Sequence, residues 1–177
     1  MTHVLIVGAQ GVGKSTLINK VLEALGRPVS GFQTKKEATG ADENLRNPVY
    51  IHVPGQPRHY TEENLLGYSA VGKGFTITQG VFDRYADVVR RPVAENGVIL
   101  FDEIGFMEAR EKEFCAAILE RLDGNIPVIA AVKNKEGVPF LDTVRSHPNC
   151  RCFYIDEQNR DALYHEVLAF MQAQLNG

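Results

Sequence analysis

The chain has no surplus of positive charge. Its 19 Lys and Arg stand against 22 Asp and Glu, a formal net charge of −3, and the pI is near 6.0. Such a balance lacks the basic footprint that nucleic-acid binding usually needs, so no nucleic-acid partner is expected. Cysteine is scarce: Cys115, Cys150 and Cys152 make an odd set, two of them one residue apart. That set excludes a disulfide framework and fits a reduced, cytoplasmic setting. The Cys150-Arg151-Cys152 pair has neither the second pair nor the histidine cluster that would complete a metal site. Long hydrophobic runs are also missing. His3 to Val7 follows Met1 almost directly and is far too short for a signal-peptide core or a membrane span, so the expectation is a protein neither targeted nor embedded. No internal repeat, charge block or low-complexity tract stands out, and no obligate protein partner is evident.

What remains is the material of one domain. A chain of 177 residues, 44% hydrophobic, is long enough to bury a core and is read as a single unit, 1–177. Four apolar runs without alternation, His3 to Val7, Val98 to Phe101, Val128 to Val132 and Cys152 to Ile155, predict strands buried on both faces of a mainly parallel sheet. Between and after them lie helical stripes. Leu17, Ile18, Val21, Leu22 and Leu25 form one, Phe114, Cys115, Ile118, Leu119 and Leu122 a second, and the segment Arg160 to Leu175 a third. Alternating strands and helices predict a three-layer α/β sandwich. The middle breaks the rhythm: Lys35 to Asn47 is polar and turn-rich, Pro48 to Val53 reads as a strand, and Pro54 to Glu63 is polar again. Residues 36–72 therefore predict either an antiparallel elaboration beside the functional site or a surface loop without function.

The strongest chemical signal is Gly8-Ala9-Gln10-Gly11-Val12-Gly13-Lys14-Ser15, followed by Thr16, which fits G-x-x-x-x-G-K-[ST] between a strand and a helix. Glycines let the backbone wrap phosphate oxygens, and the following helix presents free N–H groups. Lys14 is then expected on the β- and γ-phosphates of a nucleoside triphosphate and Ser15 on a magnesium ion. The second signal is Val98 to Glu103, an apolar strand ending in two carboxylates. Asp102 is expected to hold the magnesium, and Glu103 to orient or deprotonate an attacking water. A competing pattern is present. Asp102-Glu103-Ile104-Gly105 fits D-x-x-G of switch GTPases, and Asn134-Lys135-Glu136-Gly137 approaches their N-K-x-D base reader. Gly137 stands where the guanine-binding carboxylate would be, which removes the physical basis for guanine selection.

Taken together these residues resemble a known family, the small P-loop nucleoside-triphosphatases that include a thermophile enzyme and a cancer-related vertebrate relative. The resemblance runs nearly end to end. It is carried by the P-loop, Gly31-Phe32-Gln33-Thr34, the block Phe101 to Glu108, Pro127 to Ala130, Pro139-Phe140-Leu141 and Asn159-Arg160. It implies a RecA-like fold, magnesium-dependent and slow hydrolysis of ATP, GTP and other nucleoside triphosphates, loose base preference, and a place for Arg160 near the nucleotide. Lys35, Lys36 and Glu37 depart from the family pattern, as does the length of the 36–72 segment. Two other readings use the same P-loop. A nucleoside or nucleotide kinase would add an acceptor pocket and a cationic lid, for which Arg90, Arg91 and Lys35-Lys36 are candidates. A nucleotide-binding adaptor would bind with little turnover. No arginine finger announces itself; Arg84, Arg110, Arg145 and Arg160 are the candidates, and without one hydrolysis lacks a term worth roughly 10³ to 10⁵ in rate.

Overall fold

Apolar runs long enough to cross a sheet become strands, and the amphipathic segments between them become the helices that cover it. The computed structural model describes residues 1–105 and 107–176. In chain order its elements are β1 (His3–Gly8), α1 (Lys14–Leu25), β2 (Val29–Lys36), β3 (Asn47–His52), β4 (Leu65–Ala70), β5 (Gly74–Ile77), α2 (Val81–Arg90) and β6 (Val98–Ile104), then a 3-10 turn (Glu108–Arg110), α3 (Lys112–Leu122), β7 (Val128–Lys133), α4 (Pro139–Arg145), β8 (Cys150–Tyr154) and α5 (Arg160–Asn176). One sheet of eight strands runs in the order β5-β4-β3-β2-β6-β7-β1-β8. Pairings from β2 to β8 are parallel, and β3, β4 and β5 are added antiparallel at the β2 edge. β7 lies between β1 and β6, so the P-loop strand and the carboxylate strand are not neighbours.

Period-two alternation divides the central strands between two cores. Leu5 and Val7 of β1 join Phe82 of α2, Phe114 and Ile118 of α3 and Leu141 of α4 on one side. Val4 and Ile6 join Leu17, Ile18 and Val21 of α1 and Leu163, Val167 and Met171 of α5 on the other. The expected three-layer α/β sandwich with a mainly parallel sheet is therefore present. The last strand starts two residues before the expected Cys152 and ends at Tyr154. Residues 36–72 are not a loose surface loop: Val49, Ile51 and Leu66 are buried in the larger core. β8 is an edge strand, and its Cys150 and Cys152, like Cys115 on α3, are free thiols. Among the described residues no helix is long and apolar enough to cross a membrane.

Gly31 explains how β2 approaches the carboxylate strand. Its φ is +104°, and a Cβ there would meet the Leu100 carbonyl oxygen at 2.1 Å. Both the conformation and the space require glycine. We expect Gly31→Ala to destabilise the protein by more than about 3 kcal/mol, because backbone must move as well as strain. Gly26→Ala, at φ +60° with nothing within 4 Å, is expected to cost about 1 kcal/mol. Urea midpoints of the two variants check the contrast.

Candidate active site

The carboxyl ends of the parallel strands hold the site, as the topology of an open α/β sheet favours. β1 ends at Gly8, the chain loops through Ala9 to Gly13, and α1 begins at Lys14. Gly13 takes φ +107° at the start of α1, with no side-chain cap. The first N–H groups of the helix are thereby left for a ligand. Lys14 is almost fully buried, at 3% exposure. Its ammonium donates to the carbonyl oxygens of Gly8 (2.9 Å) and Ala9 (2.7 Å) and pairs with the Glu103 carboxylate at 3.0 Å. This cation is folded back on its own loop.

Ser15 Oγ donates to Asp102 Oδ1 at 2.7 Å. Asp102 is buried, and burial pushes its carboxyl up to about 6 although the Ser15 hydrogen bond pulls the other way. A hydroxyl and a carboxylate converging beside a phosphate loop are hard oxygen donors of the kind magnesium takes when the substrate's phosphates and water complete its shell. The residues present fit that ion. Successive strand residues ordinarily face opposite ways, yet Asp102 and Glu103 both reach the P-loop. The β6–β7 register shifts between Asp102 and Ile104, so Glu103 is the extra residue of a bulge and turns out of the ladder. Its N–H donates to Thr34 Oγ1 at 3.2 Å, which gives the Gly31-to-Thr34 segment of β2 its role.

Three cavities surround this core. Gly11, Gly13, Lys14, Ser15, Thr16 and Glu103 line one of about 220 Å³ over the P-loop. A smaller one, about 160 Å³, runs from Gln10 and Ser15 past Asp102 and Glu103 toward Lys36, Ser69, Glu108 and Lys133. A groove of about 750 Å³ runs from Gly13 and Thr16 along α1 and the start of α5, past Arg160, Tyr164 and His165.

The sequence profile of the family described as NTPase matches residues 3–168. This chain belongs to that NTPase family. It is 30% identical over 169 residues to the nucleoside-triphosphatase THEP1 of Methanothermobacter thermautotrophicus, covering 93% of each chain. A cancer-related nucleoside-triphosphatase homolog of Bos taurus is 28% identical over 186 residues, with 97% of each covered. The crystal structure of THEP1 from Aquifex aeolicus superposes with a TM-score of 0.69 at 22% identity, covering 97% of this chain and 99% of that one, and so shares the fold. The resemblance read from the sequence is borne out, and with it the P-loop NTPase fold.

In this NTPase the residues expected at the site fall together, with Gly8 to Gly13 forming the loop and Lys14, Ser15 and Thr16 the first turn of α1. Arg160 shares the long groove with Gly13 and Thr16, while Asn159 is structural, accepting from the Asp156 N–H and donating to the Tyr154 carbonyl. The cationic candidates separate. Arg90 is tied to Glu120 and Glu113 on the surface, and Arg84 donates to the Glu63 carbonyl. Arg145 binds the carbonyls of Lys133 and Lys135 and pairs with Asp142. Among the described residues no arginine lines either cavity at the carboxylates. Phe106, inside the block that carried the resemblance, lies outside the described residues. Asn134 to Gly137 form an exposed turn without the carboxylate of a guanine reader.

One site residue, Lys133, escaped sequence reasoning, and Glu108 was read only as the end of the block that carries the resemblance. Lys133, the last residue of β7, stands 3.4 Å from Glu103 Oε1. Glu108 is fully buried; it accepts the Gly105 N–H, and its carbonyl accepts the Cys115 thiol at 3.2 Å. Burial pushes the Glu108 carboxyl from 4.5 up to about 7. The unfolded chain loses this proton above pH 4.5 whereas the folded chain keeps it to about 7, so stability falls as pH rises through that window and levels off above it. Relative to Glu108→Gln, the unmodified protein should lose up to about 3 kcal/mol between pH 5 and pH 8. Urea unfolding of both proteins at the two pH values measures it.

Proposed function

We propose that this chain hydrolyses nucleoside triphosphates, ATP and GTP among them, to the diphosphate and phosphate, with magnesium held by Ser15 and Asp102 and Glu103 as general base. The observation that carries the reading is the contact between Glu103 and Lys14, which sets a carboxylate beside the ammonium that belongs on the β- and γ-phosphates. Magnesium supplies charge neutralisation of those phosphates when bound. On binding, Lys14 exchanges the Gly8 and Ala9 carbonyls and Glu103 for phosphate oxygens. Glu103 Oε2 is then released to accept a proton from water as the water oxygen bonds to the γ-phosphorus and the bond to the β–γ bridging oxygen breaks.

The candidate lid arginine Arg90 is tied to Glu113 and Glu120 on the α3 surface, which weighs against a kinase. The groove along α1 and α5 is the natural place for ribose and base, with Arg160 and Tyr164 on its wall. Gly137 stands where a guanine reader would carry its carboxylate, so purine and pyrimidine triphosphates should be hydrolysed within about tenfold of one another. Among the described residues no arginine lines the cavities at the carboxylates, which accords with slow turnover, and the free thiols accord with a cytoplasmic setting.

Phosphate release and triphosphate binding by three variants test the assignment. Lys14→Ala is expected to abolish hydrolysis and weaken triphosphate binding while remaining folded. Glu103→Gln should slow hydrolysis by about 10² to 10⁴ with little change in affinity, trapping bound triphosphate. Asp102→Asn should lose magnesium-dependent affinity as well as rate. Wild-type turnover by Glu103→Gln would overturn its role as base.

A further inference from the structure

The Glu103 carboxylate is held at both oxygens by different lysines: Oε2 lies 3.0 Å from Lys14 Nζ, and Oε1 lies 3.4 Å from Lys133 Nζ. The two lysines have different fates. Lys14 belongs to the phosphate loop and must turn to the triphosphate when one binds. Lys133 belongs to the sheet. It ends β7, pairs in register with Gly8 of β1, and its carbonyl is fixed by the Arg145 guanidinium at 2.9 Å.

We infer that Lys133 is the positioning residue for Glu103: the clamp that stays closed on Oε1 when nucleotide draws Lys14 away from Oε2. This rests on Glu103 being the general base. Glu103 needs such a clamp for a structural reason. As the extra residue of the β6 bulge it is outside the strand ladder; its backbone N–H is tied to Thr34, and its side chain is held at both carboxylate oxygens by Lys14 and Lys133. Losing Lys14 would leave the carboxylate free to rotate away from the water it must meet, and orientation is a large part of what an active site contributes. One retained contact fixes the plane of the carboxylate and leaves one oxygen for the proton.

The surroundings keep Lys133 in place. A Cβ at Gly105 would lie 3.4 Å from Lys133 Cδ, 3.6 Å from its Cε and 3.7 Å from Glu108 Oε2. The bare Gly105 backbone is thus the shelf on which the lysine stem rests, between Glu103 and the buried Glu108 that accepts the Gly105 N–H. The position of β7 between β1 and β6 makes the arrangement possible, since the end of that strand is the one place in the sheet flanked by both the P-loop strand and the carboxylate strand.

Steady-state phosphate release by Lys133→Met, Lys133→Arg, Glu103→Gln and the Glu103→Gln/Lys133→Met double variant tests this, with thermal melting of each. Lys133→Met should lower kcat by about 10- to 100-fold with KM within about threefold, because substrate contacts remain and only base orientation is lost. Lys133→Arg should recover most of the rate. In the Glu103→Gln background, Lys133→Met should cost nothing further, the non-additivity of two residues acting through one contact. If the Met variant fails to fold, Lys133→Gln takes its place. Wild-type kcat in Lys133→Met, or a full additional loss in the Glu103→Gln background, overturns the inference while leaving Glu103 as base. Wild-type kcat in Glu103→Gln overturns the base assignment itself.

Discussion

A buried ammonium must have partners, and that requirement organises this protein. Lys14 has 3% of its surface exposed, and an unpaired charge at that depth would be among the costliest features a fold could contain. The chain satisfies it internally, with two carbonyl oxygens of its own loop and the Glu103 carboxylate. In the proposed mechanism these contacts are exchanged for phosphate oxygens with little change in the number of partners, and the same exchange unmasks one oxygen of Glu103.

The sheet supplies the rest of the geometry. β7 separates the phosphate-loop strand from the strand that ends in Asp102 and Glu103, which sets the two acids at different ranges. Asp102 is close enough to take the Ser15 hydroxyl, while Glu103 bulges over the gap. Gly31 lets β2 press against β6 so that Thr34 meets the bulge from the other side. A carboxylate outside the strand ladder has freedom that an in-register residue lacks, and Glu103, the proposed base, depends on the lysines around it for direction.

Legibility in the sequence followed burial and locality. β1, β6 and β7 are buried on both faces and read as uninterrupted apolar runs; α1 and α3 show the stripe of a helix packed on one side. The P-loop is local, so its residues and their order are one signal. β2 went unread because Gly31 interrupts it and its end is Gln33 to Lys36, polar residues whose value lies in neighbours across the sheet. β5 is mostly exposed and carries no burial pattern. The 36–72 segment hides its contribution in single residues, Val49, Ile51 and Leu66, that reach the core from a polar context. Lys133 was invisible for another reason: a lysine after an apolar run is ordinary in sequence, and only the crossing of β7 with the β6 bulge brings it to Glu103, while Glu108 was legible as the end of the Phe101-to-Glu108 block but its burial was not.

The central claim is that Lys14 changes partners while Lys133 does not. A crystal structure of the protein with magnesium and a non-hydrolysable triphosphate analogue tests it most directly. The account predicts Lys14 Nζ on β- and γ-phosphate oxygens and released from Glu103, with Lys133 Nζ still within hydrogen-bonding or ion-pair reach of Glu103 Oε1. Lys14 still paired with Glu103 while the analogue occupies the loop, or Glu103 turned away from the γ-phosphate with Lys133 released, would contradict it.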